Sequence, residues 1–154
     1  MTLPTILVVC TANQCRSPAA AALLQRHLPV QDPNREWRIL SAGVWAHENL
    51  PADARMCTVA AEWGLDLEGH RSRSVDQELL AASHLVLTME VGQCEALRSE
   101  FPAYAQRIHC FAELIGIRYD IADPIGRSVE VYRATLRELE RIVSTGGARL
   151  AEMI

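Results

Sequence analysis

The chain has 154 residues, of which 49% are hydrophobic, and its formal net charge at pH 7 is −4. This length predicts one domain with a buried core, and no apolar run approaches the roughly 20 residues that span a bilayer. The acidic balance argues against a general nucleic-acid binder, and five cysteines without repeated spacing argue against a disulfide framework or a zinc site.

The N-terminal residues Met1 to Pro4 carry no basic region ahead of an apolar core, so we expect no signal peptide. We therefore expect reduced thiols and a cytoplasmic protein that binds neither membranes nor nucleic acid.

The first predicted strand, Ile6 to Val9, leads through a short loop into a predicted helix over Ala19 to Leu24. Such a loop directs backbone N–H groups and the positive end of the helix dipole at one point, which makes an anion site. Arg16 adds a planar set of donors that matches two phosphoryl oxygens. The same positive field favours the thiolate form of Cys10. The stretch therefore indicates a phosphate site with a nucleophile at its floor.

Cys10 also has a simpler interpretation, because free cysteines are often small buried core residues. A cysteine and an arginine with five residues between them also occur together by chance. The preceding strand, the Ser17-Pro18 pair and the following helix favour chemistry, since proline in the first helical turn loses no hydrogen bond.

Four further segments follow along the first half of the chain. The first helix should end before Pro29, and Val30 to Glu36 should be a loop. A short strand over Trp37 to Leu40 delivers Ser41 to the carboxyl edge of the sheet, where ligands gather in open α/β sheets. After a loop over Val44 to Leu50, helical spacing predicts a helix over Pro51 to Trp63 that Gly64 ends.

The second half alternates in the same way and completes a βαβαβαβα pattern. It predicts a short helix at Leu79 to Ala82, a central strand at His84 to Met89, a helix at Val91 to Phe101, a last strand at Arg107 to Phe111 and a long amphipathic helix at Ser128 to Val143, with Ser128 as its N-cap. This pattern predicts a three-layer α/β fold, with a four-stranded parallel sheet flanked by helices.

Asp123-Pro124 is the second motif that indicates chemistry. Proline restricts the residue before it, so the Asp123 carboxyl is held in few directions, as a proton donor requires. The alternative is an ordinary Asp-Pro turn, which is common in loops.

The stretch from Val9 to Pro18 resembles the signature of the low-molecular-weight protein tyrosine phosphatases. Ser41-Ala42-Gly43, Gly64-Leu65-Asp66 with Gly69-His70, and Asp123-Pro124 resemble further motifs of that family, in order along nearly the whole chain. Ala12 departs from the pattern, because the family usually has glycine there. The resemblance implies a single phosphatase domain over residues 1–154 with a phosphotyrosine protein phosphatase I-like fold.

The resemblance also implies roles for particular residues. Cys10 would be the nucleophile, Arg16 the phosphate-binding side chain and Asp123 the general acid, with no metal or other cofactor. The remaining phosphate-binding loop would be Thr11, Ala12, Asn13, Gln14, Cys15 and Ser17. Ser41 and His70 would support the loop through hydrogen bonds with Asn13 and Ser17, and Cys15 could form a protective disulfide with Cys10. Trp45, His47 and Ile125 would line the substrate cleft.

The substrate class stays open between two branches of the family. The partners implied are a phosphorylated protein substrate and, at the active site, inorganic phosphate or similar oxyanions. We expect phosphotyrosine, yet Ile125-Gly126 stands where tyrosine phosphatases usually have aromatic residues, and the Asp123 to Ser128 segment resembles protein arginine phosphatases. Gln14 fits neither branch, because the arginine branch usually has threonine there.

Two other classes of function compete with a phosphatase. Thioredoxin-coupled arsenate reductases share the loop but need two neighbouring relay cysteines, whereas Cys94 and Cys110 are separated by a predicted strand and helix. A non-catalytic phosphate-binding module is disfavoured because Cys10, Arg16 and Asp123 are all present.

Overall fold

A computed structural model describes residues 3–154, so the expectation drawn from Met1 to Pro4 falls partly outside the described residues. Four parallel strands form one sheet in the order β2-β1-β3-β4. The strands are β1 (Thr5–Cys10), β2 (Arg38–Gly43), β3 (Leu85–Thr88) and β4 (Ile108–Cys110). The predicted four-stranded parallel sheet is confirmed.

The helices cover both faces of this sheet. They are α1 (Arg16–Gln31), α2 (Ala54–Ala61), α3 (Gln77–Ala81), α4 (Val91–Glu100), α5 (Val129–Gly146) and α6 (Leu150–Met153), with 3₁₀ segments at Pro102–Arg107, Phe111–Ile115 and Gly147–Arg149. Within residues 3–154, no helix is long and apolar enough to cross a bilayer.

Strand β1 is buried over its whole length and divides the core into two apolar clusters. Ile6 and Val8 face the cluster that includes α1 and α5, whereas Leu7 and Val9 face the cluster that includes α4. Successive side chains of a strand point to opposite faces of the sheet. A strand that is buried on both faces therefore needs an apolar residue at every position.

The register brings the carboxyl ends of the strands to one edge. Val9 of β1 lies between Ala42 of β2 and Thr88 of β3. The loop that follows β1 is therefore flanked by the segments that follow β2 and β3, and residues distant in sequence meet there.

The predicted end of α1 and the predicted limits of β2 are wrong. Helix α1 does not end before Pro29 but continues to Gln31, so the loop begins at Asp32. Pro29 is tolerated because it lies in the last turn, and the carbonyl that its missing N–H would have bonded belongs to exposed Gln25. The second strand begins at Arg38 and continues through Ser41 to Gly43 instead of ending at Leu40, because its pairing with β1 extends to Cys10.

Other boundaries differ by about one turn. Helix α2 starts at Ala54 instead of Pro51, because the Asp53 side chain caps it by accepting from the Met56 N–H at 3.0 Å. It ends at Ala61, and Gly64 closes the following turn with φ 75°. Helix α3, in contrast, starts earlier than the predicted Leu79, because Asp76 is its N-cap, and it ends at Ala81. The predicted last strand is three residues long, since a 3₁₀ segment begins at Phe111. Ser128 caps α5 as predicted.

Candidate active site

The loop between β1 and α1 forms the floor of the candidate site. It starts at Cys10, which is 3% exposed, and the carbonyls of Cys10 and Thr11 accept hydrogen bonds from the N–H groups of Val44 and Trp45 at 3.0 and 2.9 Å. Among residues 3–154, no side chain caps the N-terminus of α1, and its first turn holds no acidic residue. The first N–H groups of this 16-residue helix are therefore available to an anion over the loop.

Gly43, at the end of β2, allows the loop to lie this close. A Cβ at position 43 would lie 2.5 Å from the Thr11 carbonyl oxygen and 3.0 Å from the Asn13 nitrogen. Both neighbours are backbone atoms that cannot rotate away, so any larger residue must displace the loop.

We therefore expect Gly43→Ala to lower the free energy of unfolding by about 1–3 kcal/mol, the usual cost of overpacking, and to lower kcat. Urea denaturation and turnover of an aryl phosphate measure the two effects. Gly92→Ala is the matched control, because a Cβ at position 92 of α4 meets nothing within 4 Å and alanine favours a helix. Equal stability and turnover in the two variants would show that the close approach has no consequence.

Asn13 is the structural centre of the loop. It is fully buried and adopts the left-handed region with φ 57°, which asparagine tolerates better than most residues. Its Nδ2 donates to Ser17 Oγ at 2.9 Å and to Ser41 Oγ at 3.0 Å, and its Oδ1 accepts from the Arg73 backbone N–H at 3.0 Å. Because a backbone N–H can only donate, the Arg73 contact fixes which side-chain atom is oxygen.

The same network bears on the hydrogen bond to Cys10. Ser17 Oγ lies 3.0 Å from Cys10 Sγ and accepts from Asn13, so its own hydrogen is available to the sulfur. When Cys10 is a thiolate, which can only accept, Ser17 donates to it and stabilises its negative charge. Ala12 needs no glycine-like conformation, since Asn13, not Ala12, takes the positive φ in this loop.

His70 reaches the loop from the segment after α2. Its Nε2 lies 2.6 Å from the Asn13 carbonyl oxygen, so this nitrogen must carry the hydrogen. Burial lowers the pKa of His70, and the Arg71 and Arg73 guanidinium groups lower it further, whereas the bond to Asn13 opposes the shift. His70 is therefore a neutral ring at pH 7 that holds the backbone on the far side of the loop.

This lowered pKa predicts a pH dependence of stability. Below pH 6.5 the unfolded chain protonates His70 while the native protein does not, so the native state loses stability as pH falls toward the lower native pKa. We expect His70→Gln to cost about 0.5–1.5 kcal/mol at pH 8, and we expect the difference from wild type to shrink below pH 6.5. Urea titrations of both proteins across this range measure it. A difference that does not change with pH would contradict the neutral ring.

Arg16 is 1% exposed and spans the gap between the loop and β3. Its Nη1 donates to Glu90 Oε2 and to the Ile121 carbonyl, both at 2.6 Å. Its Nη2 has only long contacts, at 3.4 Å to Thr11 Oγ1 and 3.6 Å to Asp123 Oδ2. One edge of the guanidinium is thus fixed by protein oxygens while the other edge can bind an oxyanion.

Asp123 lies over this open edge of Arg16. Its Oδ2 approaches Arg16 Nη2, and its Oδ1 accepts from the Ile125 N–H at 3.1 Å, which holds the carboxyl in an Asx turn. Gly126 completes the turn with φ 81°. The side chain of Asp123 remains 40% exposed, so one carboxyl oxygen can exchange protons with a ligand or with water.

The two cysteines of the loop differ in chemistry. Burial raises the pKa of Cys15, and the Asp53 and Asp123 carboxylates and Cys10 raise it further against the opposing effect of Arg16. Cys15 is therefore a neutral thiol, whereas Cys10 is the sulfur that Ser17 contacts. Both are free thiols in the structure, and the disulfide between them stays a prediction.

The residues predicted to line the substrate cleft do not join this network. The Trp45 side chain is 83% exposed, and Ile125 is 44% exposed. His47 is exposed, and its carbonyl accepts from Ser72 Oγ at 2.5 Å. Gln14 turns toward α2, where its Nε2 donates to the Pro51 carbonyl at 3.1 Å.

Two residues of the site were missed by the sequence analysis. Glu90 binds Arg16 as described, and Gln93 of α4 donates from Nε2 to Thr11 Oγ1 at 3.0 Å. The position of Glu90 directly after a central buried strand was an available signal, because the carboxyl ends of β1 and β3 meet. The contact of Gln93 depends on the orientation of α4 and had no such signal.

Comparisons with known proteins match this chain and its fold to one family. The family model of low molecular weight phosphotyrosine protein phosphatases matches residues 5–152. A protein-arginine-phosphatase of Geobacillus stearothermophilus is 38% identical over 97% of this chain and 95% of its own length. The low molecular weight protein-tyrosine-phosphatase Wzb of Escherichia coli K12 is 38% identical over 88% of each chain.

Two solved structures with occupied or modified sites are also similar. Wzb of Vibrio vulnificus in complex with benzylphosphonate has a TM-score of 0.85 at 32% identity, covering 97% of this chain and 100% of that one. A mutant of the YwlE arginine phosphatase with a phosphorylated active-site serine has a TM-score of 0.86 at 30% identity, covering 96% and 93%.

Proposed function

This chain belongs to the low molecular weight phosphotyrosine protein phosphatase family, and from that premise we propose that it hydrolyses phosphotyrosine in proteins through a phosphocysteine at Cys10. The observation that carries the proposal is the Arg16–Asp123 contact of 3.6 Å. In this contact a carboxyl from a distant loop lies beside the arginine of the loop that contains Cys10, which supports Cys10 as the nucleophile and Asp123 as the general acid.

In the first step, the Cys10 thiolate attacks phosphorus, and the sulfur–phosphorus bond forms as the bond to the tyrosine oxygen breaks. Asp123 in its acid form gives its proton to that leaving oxygen. In the second step, the Asp123 carboxylate takes a proton from water, whose oxygen attacks phosphorus. The sulfur–phosphorus bond breaks, inorganic phosphate leaves, and Ser17 again donates to the recovered thiolate.

Transition-state charge develops on the equatorial phosphoryl oxygens, and donors for them are already in place. The free edge of Arg16 and the uncapped N–H groups at the start of α1 supply these hydrogen bonds. Glu90, Ile121 and the Asn13 network hold these donors before substrate arrives, so little reorganisation is needed during the reaction.

We assign phosphotyrosine as the preferred substrate because Trp45 and Ile125 offer exposed apolar surface beside the loop, where an aromatic ring can pack. Phosphoarginine is the second candidate, since a relative named a protein-arginine-phosphatase matches 97% of the chain. A reductase relay receives no support, because Cys94 and Cys110 are both fully buried.

Two peptides of one sequence, bearing phosphotyrosine or phosphoarginine, test the assignment through their kcat/KM values. We expect the phosphotyrosine peptide to be preferred, and we expect Trp45→Ala to lower its kcat/KM by about 3- to 10-fold, the worth of one aromatic contact. Inhibition by inorganic phosphate should not change in this variant. A higher kcat/KM for the phosphoarginine peptide would contradict the assignment and favour phosphoarginine as the substrate.

The free thiols of the phosphate-binding loop also bear on the cellular compartment of the protein. Cys10 and Cys15 are free thiols of the same loop, and a reducing compartment keeps such thiols free. This supports the cytoplasm as the place where the protein meets its phosphorylated partners.

A further inference from the structure

An open cavity lies behind the phosphate-binding loop. It has a volume of about 590 Å³ and is bordered by α1, the outer edge of β2 and the segment that precedes α3. Its apolar wall comes from Pro18, Ala21, Ala22 and Leu67, and its polar wall includes Ser41, His70, Arg71 and Arg73. Cys10, Arg16 and Asp123 lie outside this wall, so the cavity is distinct from the catalytic face.

The polar wall of the cavity holds the active-site loop. Ser41 Oγ, His70 Nε2 and the Arg73 backbone N–H are the three groups beyond the loop that bind Asn13. Each of the three belongs to a residue that lines the cavity. A molecule in the cavity therefore contacts the residues that fix the left-handed Asn13, one residue layer away from Cys10.

Two arginine side chains, Arg71 and Arg73, belong to this wall. Among residues 3–154, neither Arg71 nor Arg73 forms an ion pair with a carboxylate. Arg71 Nη1 donates only to the adjacent His70 carbonyl, and Arg73 Nε donates to the Ser41 carbonyl at 3.2 Å. Each guanidinium keeps further N–H donors that can bind an added anion.

The same wall holds two carboxylates, so its formal charges balance, but the arginine N–H donors remain free. Glu48 Oε1 accepts from the Ser74 N–H at 2.8 Å, and Asp66 Oδ1 accepts from the Glu68 N–H at 2.9 Å. Both carboxylates thus bind backbone donors and form no ion pair with Arg71 or Arg73. A pair of free guanidinium groups beside an apolar wall fits an anion that carries an apolar body.

We propose that this cavity is an effector site for a small carboxylate or phosphate ester with an apolar body, and that its occupancy tightens oxyanion binding at the Cys10 loop. The anion binds Arg71 and Arg73, and the apolar body packs on Pro18, Ala21 and Ala22. A bound anion fixes Arg73 against β2 and so holds Asn13 in the conformation that directs the loop donors at phosphate. Because coupling between two sites is reciprocal, each ligand tightens the other.

Calorimetric titration of the Cys10→Ser protein tests the binding, with tungstate first filling the active site. Isophthalate is the carboxylate probe and phenyl phosphate the phosphate-ester probe. We expect one saturable site for at least one of them, weakened about tenfold or more by Arg71→Gln. Arg137→Gln on α5 removes an exposed arginine elsewhere and should leave binding unchanged. No saturable binding, or equal loss in both variants, overturns the site.

A second titration tests the coupling. Tungstate affinity is measured in the absence and presence of isophthalate, which carries no phosphoryl group to compete at the Cys10 loop, and we expect it to rise about fivefold or more. Ala22→Phe fills the cavity from α1, so it should abolish the effect of the probe while tungstate still binds alone. Unchanged tungstate affinity with the probe bound would overturn the coupling. Failure of tungstate to bind by itself would instead contradict the oxyanion site at Cys10, so the two failures are distinguishable.

Discussion

Cys10→Ser abolishes hydrolysis of aryl phosphates and leaves the phosphate site intact. We expect kcat to fall by a factor on the order of 10⁴–10⁶, because the serine hydroxyl is a far weaker nucleophile and no neighbouring base activates it. Among residues 3–154, the side chain in hydrogen-bond contact with this position is Ser17, whose neutral hydroxyl is too weak a base to take the proton. Steady-state kinetics with an aryl phosphate and a phosphotyrosine peptide measure the loss.

Cys15→Ser is the matched control for this variant. It replaces the neighbouring buried thiol, whose raised pKa keeps it out of the reaction, and it should retain most of kcat. Tungstate binding should persist in both variants, since the donors of Arg16 and α1 remain. Comparable losses of kcat in the two variants would contradict the assignment of the nucleophile.

Asp123→Asn gives the second large effect. Asparagine keeps the oxygen that accepts from the Ile125 N–H, so the turn persists, but it cannot supply or take a proton. General acid–base catalysis contributes about 10²–10⁴ to a rate, and we expect kcat for a phosphotyrosine peptide to fall by that factor. The loss should be smaller for an ester with a better leaving group, which needs less protonation.

Asp120→Asn provides the comparison on the same segment. Asp120 Oδ1 accepts from the Val91 N–H at 2.8 Å, a structural contact that asparagine preserves. This variant should keep most of the wild-type kcat, whereas Asp123→Asn should show the full loss. Retention of the wild-type kcat by Asp123→Asn would assign the general acid to another group.

The sequence was most informative where local pattern and tertiary role coincide. The apolar runs of β1 and β3 predicted central parallel strands because burial on both faces leaves no polar alternation. The loop motif placed Cys10, Asn13, Arg16 and Ser17 together because they are adjacent in sequence. The positions of Ser41 and His70 at Asn13 came from the resemblance, since no local pattern distinguishes such a histidine from an ordinary one.

The sequence was least informative where the answer depends on how distant elements pack. Helix α1 continues past Pro29 because the carbonyl that loses its hydrogen bond belongs to Gln25, which is exposed. That exposure depends on how α1 packs in the fold. Glu90 binds Arg16 and Gln93 binds Thr11 across the β1–β3 boundary, and the contact of Gln93 depends on how α4 packs beside that boundary. The free charges of Arg71 and Arg73 likewise depend on the absence of acidic partners in space within residues 3–154.

The formation of a phosphocysteine is tested most directly by trapping it. The Asp123→Asn protein, mixed with an aryl phosphate that has a good leaving group, should accumulate the intermediate because the water attack lacks its base. Denaturing quench and peptide mass spectrometry should then find one phosphoryl group on the peptide that contains Cys10, at the position of that sulfur. A phosphoryl group on another residue, or steady turnover with no covalent phosphoenzyme at any time, would contradict the mechanism.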